Sequence, residues 1–147
     1  MRRAVAAVWI TALLAAAPAT GQKYAPLPKE ILEAKVIYVL NLTDEPEVRD
    51  KAYKELRGLK RYEITEDREK AELVFVFTFS ESADAGAVAI PLSTGAVIAV
   101  PTRRSFVTLR IFNPDKPNDT ALWQVTRSTP NGTKNCIKEL RKRLPKN

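Results

Sequence analysis

The only cysteine, Cys136, stands in the basic closing stretch NGTKNCIKELRKRLPKN, and the chain contains no histidine. A thiol becomes a nucleophile when a neighbouring base or positive charge draws off its proton, so a cysteine without an imidazole partner is poor material for thiol chemistry. The same two counts exclude the usual zinc sites and the Ser-His and Cys-His pairings. Five glycines, at positions 21, 58, 86, 95 and 132, form neither a phosphate-cradling loop nor a G-x-S-x-G turn. Carboxylates remain, because Glu66, Asp67, Glu69 and Glu72 lie close together and paired acids can hydrolyse glycosides. They are interleaved with Arg68 and Lys70, however, which reads as a solvated turn. The residues thus predict no catalytic centre, no metal and no cofactor, and the chain is read as not an enzyme.

What remains is chemistry by contact. Seven basic residues from Arg127 to Asn147 stand against Glu139 alone, and the rest of the chain after residue 21 is close to neutral. Arg103, Arg104, Lys138, Arg141, Lys142 and Arg143 are the candidate contacts to an anionic polymer or lipid surface, by screened and salt-sensitive attraction. RRSFVTLRIF has the aromatic and basic content of an RNA-binding strand but lacks the glycines that let bases approach, so nucleic acid is disfavoured.

The elements that must position these residues begin after a leader. MRRAVAAVWITALLAAAPATGQ places two arginines before a short apolar run and then small residues, the layout of a secretory signal peptide cleaved after Gly21 or Ala19. The run is too short to span a bilayer comfortably. The expected location is therefore the periplasm or the exterior, with residues 1–21 as leader, 22–34 as linker and short helix, and 35–147 as one domain. One cysteine forms no internal disulfide, so the fold must rest on its core.

Along the domain, Pro28 to Ala34 suits a short helix with Ile31 and Leu32 inward. KVIYVLNL is a β-branched apolar run, the pattern of a strand buried on both faces. TDEPEVRDKAYKELRG predicts a helix over 46–58, with Asp44 as N-cap, Glu47 completing a capping box, Pro46 in the first turn and Gly58 as stop. RYEIT is a short strand. In ELVFVFTFS, Leu73, Phe75, Phe77 and Phe79 point one way and Val74, Val76 and Thr78 the other. The strand-helix-strand order favours a parallel pair. Residues 85–102 carry no charge and read as a hairpin turning at Ser93-Thr94-Gly95, with Pro91 and Pro101 confining it to edge positions. SFVTLRIF and TALWQVTR should pair antiparallel. Thr133 can cap a last helix to about Arg143, whose inner stripe is Cys136, Ile137, Leu140 and Leu144, with Cys136 acting as a small apolar side chain.

The resulting fold class is α/β in the α+β sense. A single mixed sheet of five or six strands is expected, in the order strand-helix-strand-strand-hairpin-strand-strand-helix, with two helices mainly on one face. Phe75, Phe77, Phe79, Trp123, Ile137 and Leu140 are the predicted core. This order, together with KAELVFVF, ALW and the leader, resembles small bacterial envelope proteins similar to the TolB amino-terminal domain and the curli-secretion lipoprotein domain. The resemblance implies a non-enzymatic periplasmic module that binds other envelope components, and it supplies no catalytic residues. Strands 35–42 and 72–80 are apolar on both faces, while two firm helices cover one. The second face needs a shield, which the hairpin 85–102, the 28–34 segment or another molecule would provide. An envelope protein partner or self-association is therefore expected.

Overall fold

The computed structural model describes residues 25–82, 87–101, 103–116 and 120–146. The leader read over 1–21 lies outside the described residues. In chain order the elements are α1 (Lys29–Glu33), β1 (Val36–Asn41), α2 (Pro46–Arg57), β2 (Glu63–Thr65), a 3-10 turn (Arg68–Lys70), β3 (Leu73–Ser82), β4 (Ala87–Pro91), β5 (Val97–Pro101), β6 (Arg104–Phe112), β7 (Trp123–Ser128) and α3 (Gly132–Arg143). The main sheet has five strands in the order β2-β1-β3-β6-β7. β1 runs parallel to β2 and β3, and β6 is antiparallel to β3 and β7. This is the mixed sheet that the alternation of elements predicts. β4 and β5 form a separate two-stranded sheet.

Strand periodicity decides which residues meet the helices. Ile37 and Val39 of β1, Leu73, Phe75 and Phe77 of β3, and Val107, Leu109 and Ile111 of β6 form one continuous buried face. α2 lays Val48, Ala52 and Leu56 on it at helical spacing, and α3 adds Cys136, Ile137 and Leu140. The short α1 joins the same core through Leu27 and Ile31. Its place is fixed from the far side by Tyr62, whose ring meets Phe75 edge-on at 5.6 Å and whose hydroxyl donates to the Ile31 carbonyl at 3.1 Å. The Arg61 guanidinium donates to the Leu32 carbonyl beside it.

Several local expectations are corrected. Asp44 does not cap α2; the N-cap position is Glu45, and its side chain makes no cap hydrogen bond. The entry to the helix is shaped instead by Asn41, whose Oδ1 accepts the Thr43 N–H at 3.0 Å while its Nδ2 donates to the Glu45 carbonyl at 2.9 Å. Gly58 does stop α2, as its C-cap, but in a right-handed conformation at φ −64°; the left-handed residue in the following turn is Lys60 at φ 53°. α3 starts one residue before Thr133, at Gly132, where an added Cβ would lie 3.0 Å from the Arg127 carbonyl oxygen and from the Val107 side chain. The bare glycine lets the helix start flush against β6 and β7. Phe79 points to the same side as Phe75 and Phe77 but is 38% exposed, because β3 has by then run past its helical cover. Trp123 is only partly buried at the core edge.

The hairpin closes as expected over Gly95, which has φ 80°, and the Leu92 N–H donates to the Ala96 carbonyl at 2.8 Å. It does not shield the second face of the main sheet. β4 and β5 pair with each other, neither packs extensively on another described element, and the pair extends between β3 and β6 as an arm. α1 does not cover that face either, since it belongs to the helix-side core. No described helix is long and apolar enough to cross a membrane.

Candidate binding surfaces

Three of the four acids of the charged turn, Glu66, Asp67 and Glu72, are held by structural partners. Glu66 accepts from the Arg49 guanidinium at 3.1 Å and from the Tyr53 hydroxyl at 3.1 Å. Asp67 accepts the Glu69 N–H at 3.0 Å and so starts the 3-10 turn. Glu72 accepts the Val36 N–H at 3.0 Å and also the Lys35 N–H, and these backbone donors hold its carboxyl below the usual carboxylate range. Together these contacts fasten the β2–β3 connection to α2 and to the start of β1. Among the described residues no group of three or more acidic or cysteine side chains is arranged to hold a metal ion.

Cys136 is completely buried against the sheet, with its sulfur 3.5 Å from the Val107 carbonyl oxygen and 3.7 Å from that of Val125. Burial pushes its thiol up to about 11, because a thiolate there would lose its hydration. At neutral pH it is a protonated core side chain. Phe75, Phe77, Ile137 and Leu140 share this core and are fully buried.

The predicted cationic contacts fall into two separate places. Arg103 and Arg104 line a hollow of about 410 Å³ with Phe106, Arg127 and Thr129, at the end of β6 next to the arm. Arg103 also lies 3.9 Å from Glu81. Lys138, Arg141 and Lys142 line a second hollow of about 530 Å³ with Lys134, Lys146 and the single acid Glu55. Arg143 turns the other way, stacking on Trp123 at 5.5 Å and lying 3.7 Å from Glu139.

Sequence reasoning missed Glu139. Its side chain is only 7% exposed and is held by Arg127 at 3.2 Å, Lys142 at 3.5 Å and Arg143 at 3.7 Å. Burial alone would raise its carboxyl, but Arg127 and Lys142 outweigh this and keep it below the ordinary range. The signal was available: Glu139 is the lone acid among the seven cations of the tail, and it stands three residues after Cys136 and so near the inner side of the same helix.

The arm carries most of the exposed large hydrophobic side chains among the described residues. Of the large hydrophobic side chains open to solvent, Ile90, Leu92, Val97, Ile98 and Val100 lie on it, against only Leu42 and Phe79 elsewhere among the described residues. Val97 is 64% exposed. The register sets Ile90 opposite Ile98 and Ala89 opposite Ala99, so one side of the ribbon is bulky and the other is small.

No family model matches the chain, and no curated protein matches it. Among solved structures it is similar to an uncharacterized lipoprotein B from Nitrosomonas europaea, at 12% identity and TM-score 0.42, over 80% of this chain and 74% of that one. A minor lipoprotein from Acinetobacter baumannii is similar at 10% identity and TM-score 0.38, over 74% of this chain and 87% of the other. A putative neuraminyllactose-binding hemagglutinin homolog from Helicobacter pylori aligns at 10% identity and TM-score 0.35, over 66% and 63% respectively. At these identities and scores the likenesses assign neither a family nor a role.

Proposed function

We propose that the chain is an exported, non-catalytic binding module of a bacterial cell envelope, which engages an envelope protein or a second copy of itself through the β4–β5 arm. The observation that carries this reading is the arm itself: an uncharged ribbon whose Ile90, Leu92, Val97, Ile98 and Val100 face water. Scattered exposed hydrophobics are ordinary, but a concentration on one projecting element is the pattern of an interface. Both outer edges of a two-stranded ribbon also leave backbone donors and acceptors for a further strand. The leader-like residues 1–21 and the resemblance to TolB-type and curli-secretion domains support export and an envelope role. Glu66, Asp67, Glu72 and the thiol, each held in a structural contact, support work by binding.

Sedimentation and chemical cross-linking of the wild type should show association, or cross-linking to a defined envelope protein in extracts. An Ile90→Asp/Ile98→Asp variant should lose it while keeping its fold. A strict monomer that captures no partner and binds no hydrophobic dye would overturn the reading.

A second reading, adsorption to an anionic polymer or lipid surface, is favoured by the five cations that surround Glu55 in one hollow. Lys138→Glu/Arg141→Glu should abolish that adsorption and leave arm-mediated association intact. Lys142 is best left in place, because it also holds Glu139.

A further inference from the structure

The main sheet has a second face, opposite the helices, and register sets its rows. Tyr38, Val74 and Phe112 stand side by side, and next to them Leu40, Val76 and Arg110. Towards β7 the face turns polar through Gln124, Thr108 and Thr126, and the two threonine hydroxyls share a hydrogen bond of 2.8 Å. The side over β1 and β3 is apolar and contains a hollow of about 270 Å³. Val74 and Val76 belong to its lining, with Leu40, Leu42 and Phe112 around them. Although no described helix packs on this face, Val74 is 3% exposed and Val76 is 9% exposed. Arg68 and Arg110 line the same hollow beside them, and such side chains can lay their apolar stems along an apolar surface while the charged heads stay in water. Both arginines are exposed, and no acid pairs with either among the described residues.

An apolar hollow alone would select nothing in particular. Two unpaired guanidiniums at its margin add a requirement for negative charge in a fixed place, since a guanidinium can bind a carboxylate through two parallel hydrogen bonds. A small anion alone would gain little at so exposed a position. A neutral chain would leave both cations unused. The two features are satisfied together by an anion joined to an apolar body. The volume lies just below the usual range for small-molecule sites, roughly 300–1,000 Å³, so it suits one short chain and excludes a many-chained lipid.

We propose that this hollow binds a single-chain anionic amphiphile, with a short acyl chain over Val74 and Val76 and its carboxylate against Arg68 and Arg110. The site is separate from the arm and does not depend on the arm's role. The test is an NMR titration of the isotopically labelled protein with hexanoate, octanoate and decanoate below their micelle-forming concentrations, using decylammonium and decanol as charge controls. The expected shifts are at the methyl groups of Leu40, Leu42, Val74 and Val76. Each added methylene should tighten binding about fourfold until the hollow is filled. Decylammonium should not bind there. Arg68→Gln/Arg110→Gln should weaken decanoate about tenfold and leave decanol unchanged. Leu42→Asp, at a side chain 59% exposed and so tolerant of change, should abolish chain binding without altering the melting temperature. Equal binding of decanoate and decylammonium, shifts confined to the arm or α3, or a double variant with undiminished affinity would overturn the proposal.

Discussion

The β3 strand and the β4–β5 arm are built from the same kinds of residue and have opposite fates. Phe75 and Phe77 are completely buried, whereas Ile98 and Val100, a short distance along the chain, face solvent. Strand-forming composition is common to both; what differs is the presence of a cover. β3 lies at the middle of the five-stranded sheet, beneath amphipathic helices, while among the described residues the arm has neither a third strand nor a helix. Apolar content therefore records where a surface must be removed from water, and not whether the chain removes it by itself. That difference separates residues that hold the fold from residues available for contact.

The largest effect that would sharpen this contrast is Phe77→Ala, which leaves a cavity under the helices and should cost about 3–5 kcal/mol in denaturant unfolding. A much smaller loss would mean that the core is not packed as described. Glu139→Ala should cost about 1–3 kcal/mol, because it leaves Arg127, Lys142 and Arg143 facing one another without their acid. Its pH signature has a definite sign. The folded carboxyl is lowered from an ordinary 4.5, so its stabilisation is complete above that value and is lost as pH falls through the lower folded value. The wild type should thus lose stability in acid more steeply than the variant. Cys136 acts at the other end of the scale. Its thiol is raised from 9.0 to about 11, so the folded state keeps a proton that the unfolded chain releases, and stability should fall as pH rises across that window. Cys136→Ala should shallow that alkaline loss, and in the native wild type the thiol should resist Ellman's reagent at neutral pH until the protein unfolds. Ile98→Asp should change folding stability least, by about 0.5 kcal/mol or less, while reducing association. A large destabilisation there would erase the distinction between arm and core.

Much of this arrangement was legible in the sequence, for reasons that vary along the chain. Alternation in ELVFVFTFS assigns the sides of β3 correctly because strand geometry alternates whatever the neighbours are. The Cys136, Ile137 and Leu140 stripe gives the inner side of α3 for the same kind of reason. Phe79 is misjudged because periodicity gives a direction and not the length of the cover above it. The start of α2 is misjudged because Asn41, at the end of a strand, shapes the preceding turn by accepting the Thr43 N–H and donating to the Glu45 carbonyl, and the N-cap position falls at Glu45. The division of the cations into two hollows depends on β6 pairing with β7 and on α3 packing beside α2, the pairing of Arg127 with Glu139 depends on β7 and α3 packing together, and no local pattern records either. The cover over Val74 and Val76 was sought in whole elements, yet neither the arm nor α1 lies there, and the hollow around them is lined by individual side chains such as Arg110, directly opposite Val76 in the register.

Pro91 and Pro101 lie at the ends of β4 and β5, and neither has an N–H to offer. The outer edges of the ribbon are therefore interrupted at these two positions, since the remaining N–H groups point outward only on alternate residues. Such a rim accommodates one brief incoming strand but gives poor support to the long, continuous stacking that builds fibres. The chain can thus display a water-averse ribbon without seeding its own precipitation.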